Sequence, residues 1–301
     1  MRVTNRMLTA NLNRNLRDHL TRLDKFQSKL STGKQILKPS DGPADAEVIM
    51  NLESMKREIE QYMKNGEKAK TVLNLTDSVL EHTMEIFLEA RDKALRGGND
   101  PLGKDEKAAL AGVVISLLSD AIDACNSTYQ GRYLFSTNSS VASDSKPFEL
   151  RLDANGDPIE VVFNGKEGVF NVEVAQNTRI DAGVDGKKVL VDGKVFDSLI
   201  NLYKGLKDGT VDADDYISGI TTAIDRILEA RADAGAKIER FDLIKNRYEQ
   251  DKINISRLLS RTQDVDYAET ISELIQEETV YNAALKVGAR VIQPSLIDYL
   301  K

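Results

Sequence analysis

Residues 12–30 read LNRNLRDHLTRLDKFQSKL. Leu16, Leu23 and Leu30 fall seven apart, Leu12, His19 and Phe26 take the intermediate positions, and Leu8 and Leu20 widen the stripe. A three-four repeat puts one apolar face on a helix, and that face packs against another helix. A matching stripe stands at the other end of the chain. There Ile271, Leu274 or Ile275, Tyr281, Leu285 and Val291 or Ile292 keep the same spacing. Chain ends ordinarily fray. Two ends that both carry apolar stripes are expected to pair with each other and to join the chain to other molecules.

Working inward from residue 30, Gly33 offers a helix stop, so the first helix is expected over about residues 4–32. Pro39 and Pro43 forbid a continuous helix and make 38–43 a loop. A long second helix follows on Val48, Leu52, Met55, Ile59, Tyr62, Ala69, Leu73, Thr76, Leu80, Met84, Phe87 and Arg91, with Gly66 its weak point. Gly97-Gly98-Asn99-Asp100-Pro101 ends it. The third helix turns Leu110, Val113 or Val114, Leu117, Ala121 or Ile122, and Cys125 inward and stops before Gly131. Then the period changes to two. Phe148, Leu150 and Leu152 alternate with polar residues, as do Ile159, Val161 and Phe163, around the turn 153–158, a hairpin signature. Phe170, Val172 and Val174 suggest another strand, and 189–195 a further hairpin around Asp192-Gly193. A short helix through Phe196, Leu199, Ile200, Tyr203 and Leu206 precedes Asp208-Gly209.

Residues 212–293 contain no proline and resume the helical period through Ile220, Ile224, Ile227, Ala234, Ile238, Phe241, Tyr248, Ile255 and Leu259. About 80 residues of helix would reach on the order of 120 Å, unless Gly235 or Gly288 breaks it. Only the two N-terminal helices together have that reach. The expected fold is therefore mainly α with a small β-rich insert, a long antiparallel helical rod formed by the N- and C-terminal segments, and the β domain at its distal tip. The segments are 1–37 with 268–301 (terminal coiled coil), 38–135 with 212–267 (helical rod) and 136–211 (insert).

Charged residues make up 30%, apolar residues 41%, and there is no tryptophan. This is the composition of a helix-rich soluble protein, not of an enzyme with a deep pocket. A net charge of −7 without a basic run argues against nucleic-acid and anionic-membrane partners. No stretch approaches the roughly 18 apolar residues of a membrane span. Arg2, Thr4, Asn5 and Arg6 interrupt the start before an apolar signal region could form.

The titratable residues do not cluster into chemistry. His19 and His82 lie far apart on helix faces, which leaves no metal pair or general base. Cys125 is the only cysteine and reads as a small buried hydrophobe. Asp153, Asn155 and Asp157 mimic the opening of a calcium loop, but Pro158 stands where that loop needs glycine and Asn164 where it needs glutamate. A hairpin turn accounts for them better. Asp212, Asp214 and Asp215 suit a helix start. Neither a phosphate loop nor a Ser/His/Asp arrangement occurs, so no enzyme activity and no cofactor are expected. A cytoplasmic signalling coiled coil would need a phosphoacceptor His in an acidic helix or an ATP-binding domain, and neither is present.

Several motifs, in order along the chain, resemble the flagellin family of bacterial flagellar proteins. They are Arg2-Val3-Thr4-Asn5-Arg6-Met7-Leu8, Leu30-Ser31-Thr32-Gly33-Lys34 followed by Lys38-Pro39-Ser40-Asp41, Leu73-Asn74-Leu75-Thr76-Asp77-Ser78-Val79-Leu80, and Gln130-Gly131-Arg132-Tyr133-Leu134-Phe135-Ser136. Val195-Phe196-Asp197-Ser198-Leu199 and Ala289-Arg290-Val291-Ile292-Gln293-Pro294-Ser295-Leu296 complete the set. The N-terminal run is more similar to that of the family's hook–filament junction members than to that of the filament subunit, which is the alternative. The resemblance implies an extracellular structural adaptor of the bacterial flagellum, exported through the flagellar type III channel without a cleaved signal peptide. The implied partners are other copies in a ring, the first hook-associated protein, flagellin and an export chaperone. The surface expected to carry assembly comprises Leu8, Leu12, Leu16, Leu23, Phe26, Leu285, Val291, Ile292, Leu296 and Leu300.

Overall fold

In the computed structural model, the structure describes residues 5–99, 103–136, 146–209 and 213–292. Six α-helices carry most of it: α1 (Asn5–Thr32), α2 (Pro43–Asn99), α3 (Lys104–Cys125), α4 (Val195–Asp208), α5 (Ala213–Gln263) and α6 (Tyr267–Ile292). Three two-stranded antiparallel ribbons lie between α3 and α4: β1 (Thr128–Tyr129) with β2 (Arg132–Tyr133), β3 (Phe148–Leu152) with β4 (Pro158–Phe163), and β5 (Asn171–Ala175) with β6 (Thr178–Asp181). The protein is mainly α with a small β insert. The described chain divides into two compact units, residues 1–58 with 250–301, and residues 59–249.

The unit 59–249 holds the large core. Leu73, Leu80 and Phe87 of α2, Val114 and Leu118 of α3, Leu199 and Leu202 of α4, and Ile220 and Ile227 of α5 are sealed from solvent. Ion pairs tie α2 to α5 along the flanks: Arg231 holds Asp77 at 2.8 Å and Glu81 at 3.2 Å, and Lys70 holds Asp242 at 2.7 Å. Phe148 on β3 anchors the insert, with the rings of Phe135, Phe163 and Phe196 centred 5.2–6.4 Å from it. Buried Asn126, just beyond α3, donates to the Phe148 carbonyl at 2.9 Å and accepts from the Phe148 N–H at 3.0 Å. This two-way bond satisfies the exposed edge of β3 where water cannot. The β5–β6 ribbon is held by Asn65, which donates to the Glu173 carbonyl, and by the Tyr248 hydroxyl, which donates to that of Val174.

The turn 153–157 is built as a hairpin turn. The Asp153 carboxylate accepts the N–H groups of Asn155 and Asp157, each at 2.8 Å, and Gly156 takes φ +85°. Asp157 in turn accepts from Lys207 and from the Tyr203 hydroxyl, which fastens the turn to α4 and holds its carboxyl below the usual range.

The structure departs from the sequence expectation in four places. Residues 187–191 form a wide helical turn closed by Asp192 N–H donating to the Lys187 carbonyl, not a hairpin. Leu190 and Val195 are buried there, and a Cβ on Gly193 would lie 2.2 Å from the Val189 carbonyl oxygen, so the chain coils instead of pairing. Val48 and Met55, expected inside, are 47% and 51% exposed, while Ala46 and Ile49 are buried in their place. The long C-terminal helix breaks at 264–266, whereas Gly235 and Gly288 sit inside helices. Finally, α3 is long and apolar enough to cross a membrane, with a mean hydropathy of 1.7. Its apolarity has a local cause, since Ala111, Val114, Leu117, Leu118, Ala121, Ile122 and Cys125 are buried.

Candidate assembly surface

In the unit formed by the chain ends, α1 and α6 pack as an antiparallel pair. The seam on α1 consists of Leu12, Leu16, His19, Leu23, Phe26 and Leu30, all buried or half-buried. On α6 it consists of Thr270, Leu274, Glu277, Tyr281, Ala284 and Gly288, with the same three-four spacing. Side chains at that spacing interlock as knobs into holes. Three contacts fix the register: Leu12 against Gly288, His19 and Arg22 against Glu277, and Gly33 against Tyr267.

Both paired segments break at the same level. Gly33, at φ +69°, turns the chain out of α1; its carbonyl accepts the Val265 N–H at 2.9 Å, and Gln35 N–H donates to Gln263 at 2.7 Å. Lys34 and Asp264 thus form an isolated antiparallel bridge. Asp266 restarts the helix by accepting the N–H groups of Ala268 and Glu269, a side-chain cap that satisfies donors the helix itself leaves open.

The middle of the seam is polar. His19 Nδ1 lies 2.5 Å from the Glu277 carboxylate and Arg22 Nε donates to the same oxygen at 2.7 Å. The bond from His19, aided by Arg22 and opposed by partial burial, holds the Glu277 carboxyl below the usual range. Among the described residues, no group of three or more His, Cys, Asp or Glu is arranged to hold a metal ion. Cys125 lies in the other unit with its thiol pushed up to about 12 by burial, so it is not a nucleophile at neutral pH.

The structure brings five of the expected surface residues together on α1. Leu23 is buried, Leu12, Leu16 and Phe26 are half-buried in the seam, and Leu8 is 43% exposed beside it. On α6 Leu274 and Tyr281 of the expected stripe lie in the seam, and other members fall one residue out of phase with it. Leu285, like Ile271 and Ile275, faces outward, and Glu277, Ala284 and Gly288 face α1 instead. Val291 and Ile292 close α6 without described side chains, and Leu296 and Leu300 lie outside the described residues. The sequence reading passed over Glu277 and Gly288, both of which fall on the seam's own repeat. Beside Leu20, Ile271 and Ile275 of the expected stripes, the same pair exposes Met7, Tyr267, Val280 and Val287, each of the seven between 41% and 59% exposed. Large apolar side chains exposed in this number on one helix pair favour an interaction site.

Comparison with known proteins agrees with this geometry. The model of the bacterial flagellin N-terminal helical region matches residues 3–140, and that of the C-terminal helical region matches residues 217–300. Flagellar hook-associated protein 3 of Escherichia coli K12 is 24% identical over 95% of both chains, and flagellin of Bacillus subtilis 168 is 22% identical over 97% of both. The crystal structure of flagellar hook-associated protein-3 from Legionella pneumophila superposes with a TM-score of 0.62 at 13% identity, covering 71% of this chain and 98% of that one. That likeness establishes a shared fold. With its two terminal helical regions together spanning more than half of the sequence, the chain belongs to the flagellin family.

Proposed function

We propose that this chain is the adaptor between the first hook-associated protein and the flagellin filament, exported through the flagellar channel and assembled there as a ring of copies. Its membership of the family makes it a structural component of the bacterial flagellum, and hook-associated relatives support an adaptor role. One observation carries the reading: the α1–α6 pair buries only a single seam and leaves both helices apolar on their flanks. Each Ile- or Leu-sized side chain covered by a neighbour would contribute about 1.5–3 kcal/mol. Ordering terminal backbone costs on the order of 1–2 kcal/mol per residue. A lone copy therefore holds its ends marginally and gains order when copies stack. Residues 1–37 with 268–301 do the assembling, with Leu8, Leu12, Leu16, Leu23, Phe26, Leu285, Val291, Ile292, Leu296 and Leu300 as packing surface. The chain performs no catalysis. In the cytoplasm an export chaperone covers the same surface, and on the flagellum the first hook-associated protein and flagellin do.

A strain lacking the gene tests the reading. It is expected to build hooks, to shed flagellin into the medium and not to swim, with motility restored by the intact gene. Normal filaments on that strain would exclude the junction role. Finding the chain along the whole filament, not at its base, would support the filament-subunit alternative that the flagellin relative keeps in view.

A further inference from the structure

An asparagine followed by glycine can react with its own backbone, because no Cβ shields the nitrogen that comes next. The chain holds three such pairs: Asn65-Gly66, Asn155-Gly156 and Asn164-Gly165. The chemistry is the same at each. The glycine nitrogen gives up its proton and attacks the side-chain amide carbon; a C–N bond forms, and the amide nitrogen leaves as ammonia. Water then opens the resulting succinimide ring at one carbonyl or the other, giving aspartate or isoaspartate. Water is the only co-reactant. The fold decides which pair reacts, by leaving nitrogen and amide free to meet or by holding them apart.

Two of the three pairs are held. Asn65 and Gly66 lie inside α2, where the Gly66 N–H belongs to the helix ladder. The Asn65 amide is fixed at both ends, donating to the Glu173 carbonyl at 3.1 Å and accepting from Gln61 at 2.9 Å. Asn164 donates from its side chain to the Glu149 carboxylate and from its backbone to the Pro147 carbonyl, each at 2.8 Å. A Cβ on Gly165 would stand 2.6 Å from both Ser136 Oγ and Phe163 Cζ, so the chain is crowded where a ring would have to close.

Asn155-Gly156 is open. Both residues are exposed, and nothing lies within 4 Å of where a Cβ on Gly156 would be. The Asn155 side-chain amide has no hydrogen-bond partner among the described residues; its bond to Asp153 comes from the backbone. The attacking nitrogen is restrained by one contact, its N–H donating to the Asp153 carbonyl at 3.1 Å. That contact sits in an exposed turn, which opens without unfolding the core beneath it.

We infer that Asn155 is a site of spontaneous deamidation, and that its isoaspartyl product unfastens the 153–157 turn from α4. In isoaspartate the main chain runs through the former side chain and is one methylene longer. The added carbon falls between the N–H groups of residues 155 and 157, which both donate to the Asp153 carboxylate at 2.8 Å. The longer spacer cannot keep both bonds, and the freed carboxylate adds a third negative charge beside Asp153 and Asp157. Asp157, the group that Lys207 and Tyr203 hold, is thereby displaced.

Ageing the full-length protein in mildly alkaline buffer, folded and in denaturant, tests both halves. In denaturant all three asparagines are expected to exchange NH for O at similar rates. In the folded protein Asn155 keeps most of that rate, whereas Asn65 and Asn164 lose nearly all of it. Trypsin releases 152–166 as one peptide carrying two of the sites, so electron-transfer fragmentation assigns the residue and separates isoaspartate from aspartate. Folded protein unchanged at Asn155, or reacting no faster there than at Asn65 and Asn164, overturns the site. Amide hydrogen exchange over 152–163 reads the turn: it is expected to quicken in aged wild type and to stay constant in equally aged Asn155→Ser, which cannot form the ring. Isoaspartate at 155 with unaltered exchange refutes the release, as does equal quickening in both proteins.

Discussion

The Leu12 Cδ2 carbon lies 2.5 Å from where a Cβ on Gly288 would stand, so α1 and α6 touch backbone to side chain at that level. Gly288 is buried in a helix interior, where glycine costs about 1 kcal/mol relative to alanine. The close approach is what that cost secures. Gly288→Ala recovers the propensity but forces Leu12 aside, an overpacking that costs about 1–3 kcal/mol. In wild type the substitution is therefore expected to lower the helical content of the terminal pair. In a Leu12→Ala background, with the obstruction gone, it is expected to raise it. Far-ultraviolet circular dichroism of the four proteins reads this change of sign, and an equal effect in both backgrounds would contradict the contact.

Glu277 makes the terminal pair sensitive to acid. Its carboxyl titrates below the ordinary value of 4.5 because His19 and Arg22 bind the charged form. A lowered native pKa means that this contribution is present above the unfolded value and is lost as pH falls through the native one. The pair is thus expected to loosen below about pH 4.5, seen as faster pepsin cleavage within α1. Glu277→Gln should abolish that step while weakening the pair at neutral pH. Arg22 is half-exposed and adds little on its own. An unchanged acid profile in the variant would remove Glu277 as the cause.

The insert depends on Asn126. With both of its side-chain bonds going to the backbone of buried Phe148, Asn126→Ala leaves a donor and an acceptor without partners. Each costs about 1–3 kcal/mol. Thermal unfolding of the unit 59–249 should shift down by several degrees, and Asn126→Asp, which keeps the acceptor but turns a buried charge on the Phe148 carbonyl, should lose at least as much. Equal melting of all three proteins would count against this anchor.

Cys125 is fully buried with its Sγ near the Thr83 hydroxyl, and burial pushes its thiol up to about 12. Ellman's reagent is expected to leave it untouched in native protein and to label it only as fast as the unit 59–249 unfolds. Rapid labelling at neutral pH would mean that α3 opens locally.

The seam on α1 was legible because leucines mark it and polar residues flank it. On α6 the same spacing is ambiguous: Leu274 and Tyr281 of the expected stripe lie in the seam, whereas Ile271, Ile275 and Leu285 lie one residue outside it and Thr270, Glu277, Ala284 and Gly288 take their places. Hydropathy alone does not separate the two rows. Pairing is decided by close approach at Gly288 and by the charge at Glu277, neither of which contributes to an apolar pattern. The break at 264–266 follows the same lesson. Gly235 and Gly288 were suspected on propensity, yet tertiary packing absorbs about 1 kcal/mol easily. The stop lies where Gly33 and Val265 bond to each other across the pair, with Asp266 and Glu269 at capping spacing as the one local sign. The hairpin expected at 189–195 failed because alternating valines suit a wide helical turn equally well when Leu190 between them is the buried residue. Assembly residues beyond position 292 fall outside what the described residues inform.

Leu16 offers the plainest separation of folding from assembly. It is half-buried in the seam between Leu12 and His19 and belongs to the unit of the chain ends. Leu16→Asp places a carboxylate against apolar neighbours, where an uncompensated charge is strongly unfavourable. Since the large core lies wholly within residues 59–249, melting of that unit should match wild type. Incorporation into flagella should nevertheless cease, and in dilute solution limited proteolysis should remove the first and last few tens of residues faster than in wild type. Motility of the variant equal to wild type, with ends equally resistant to protease, would show that the α1–α6 seam is not what joins this chain to its neighbours.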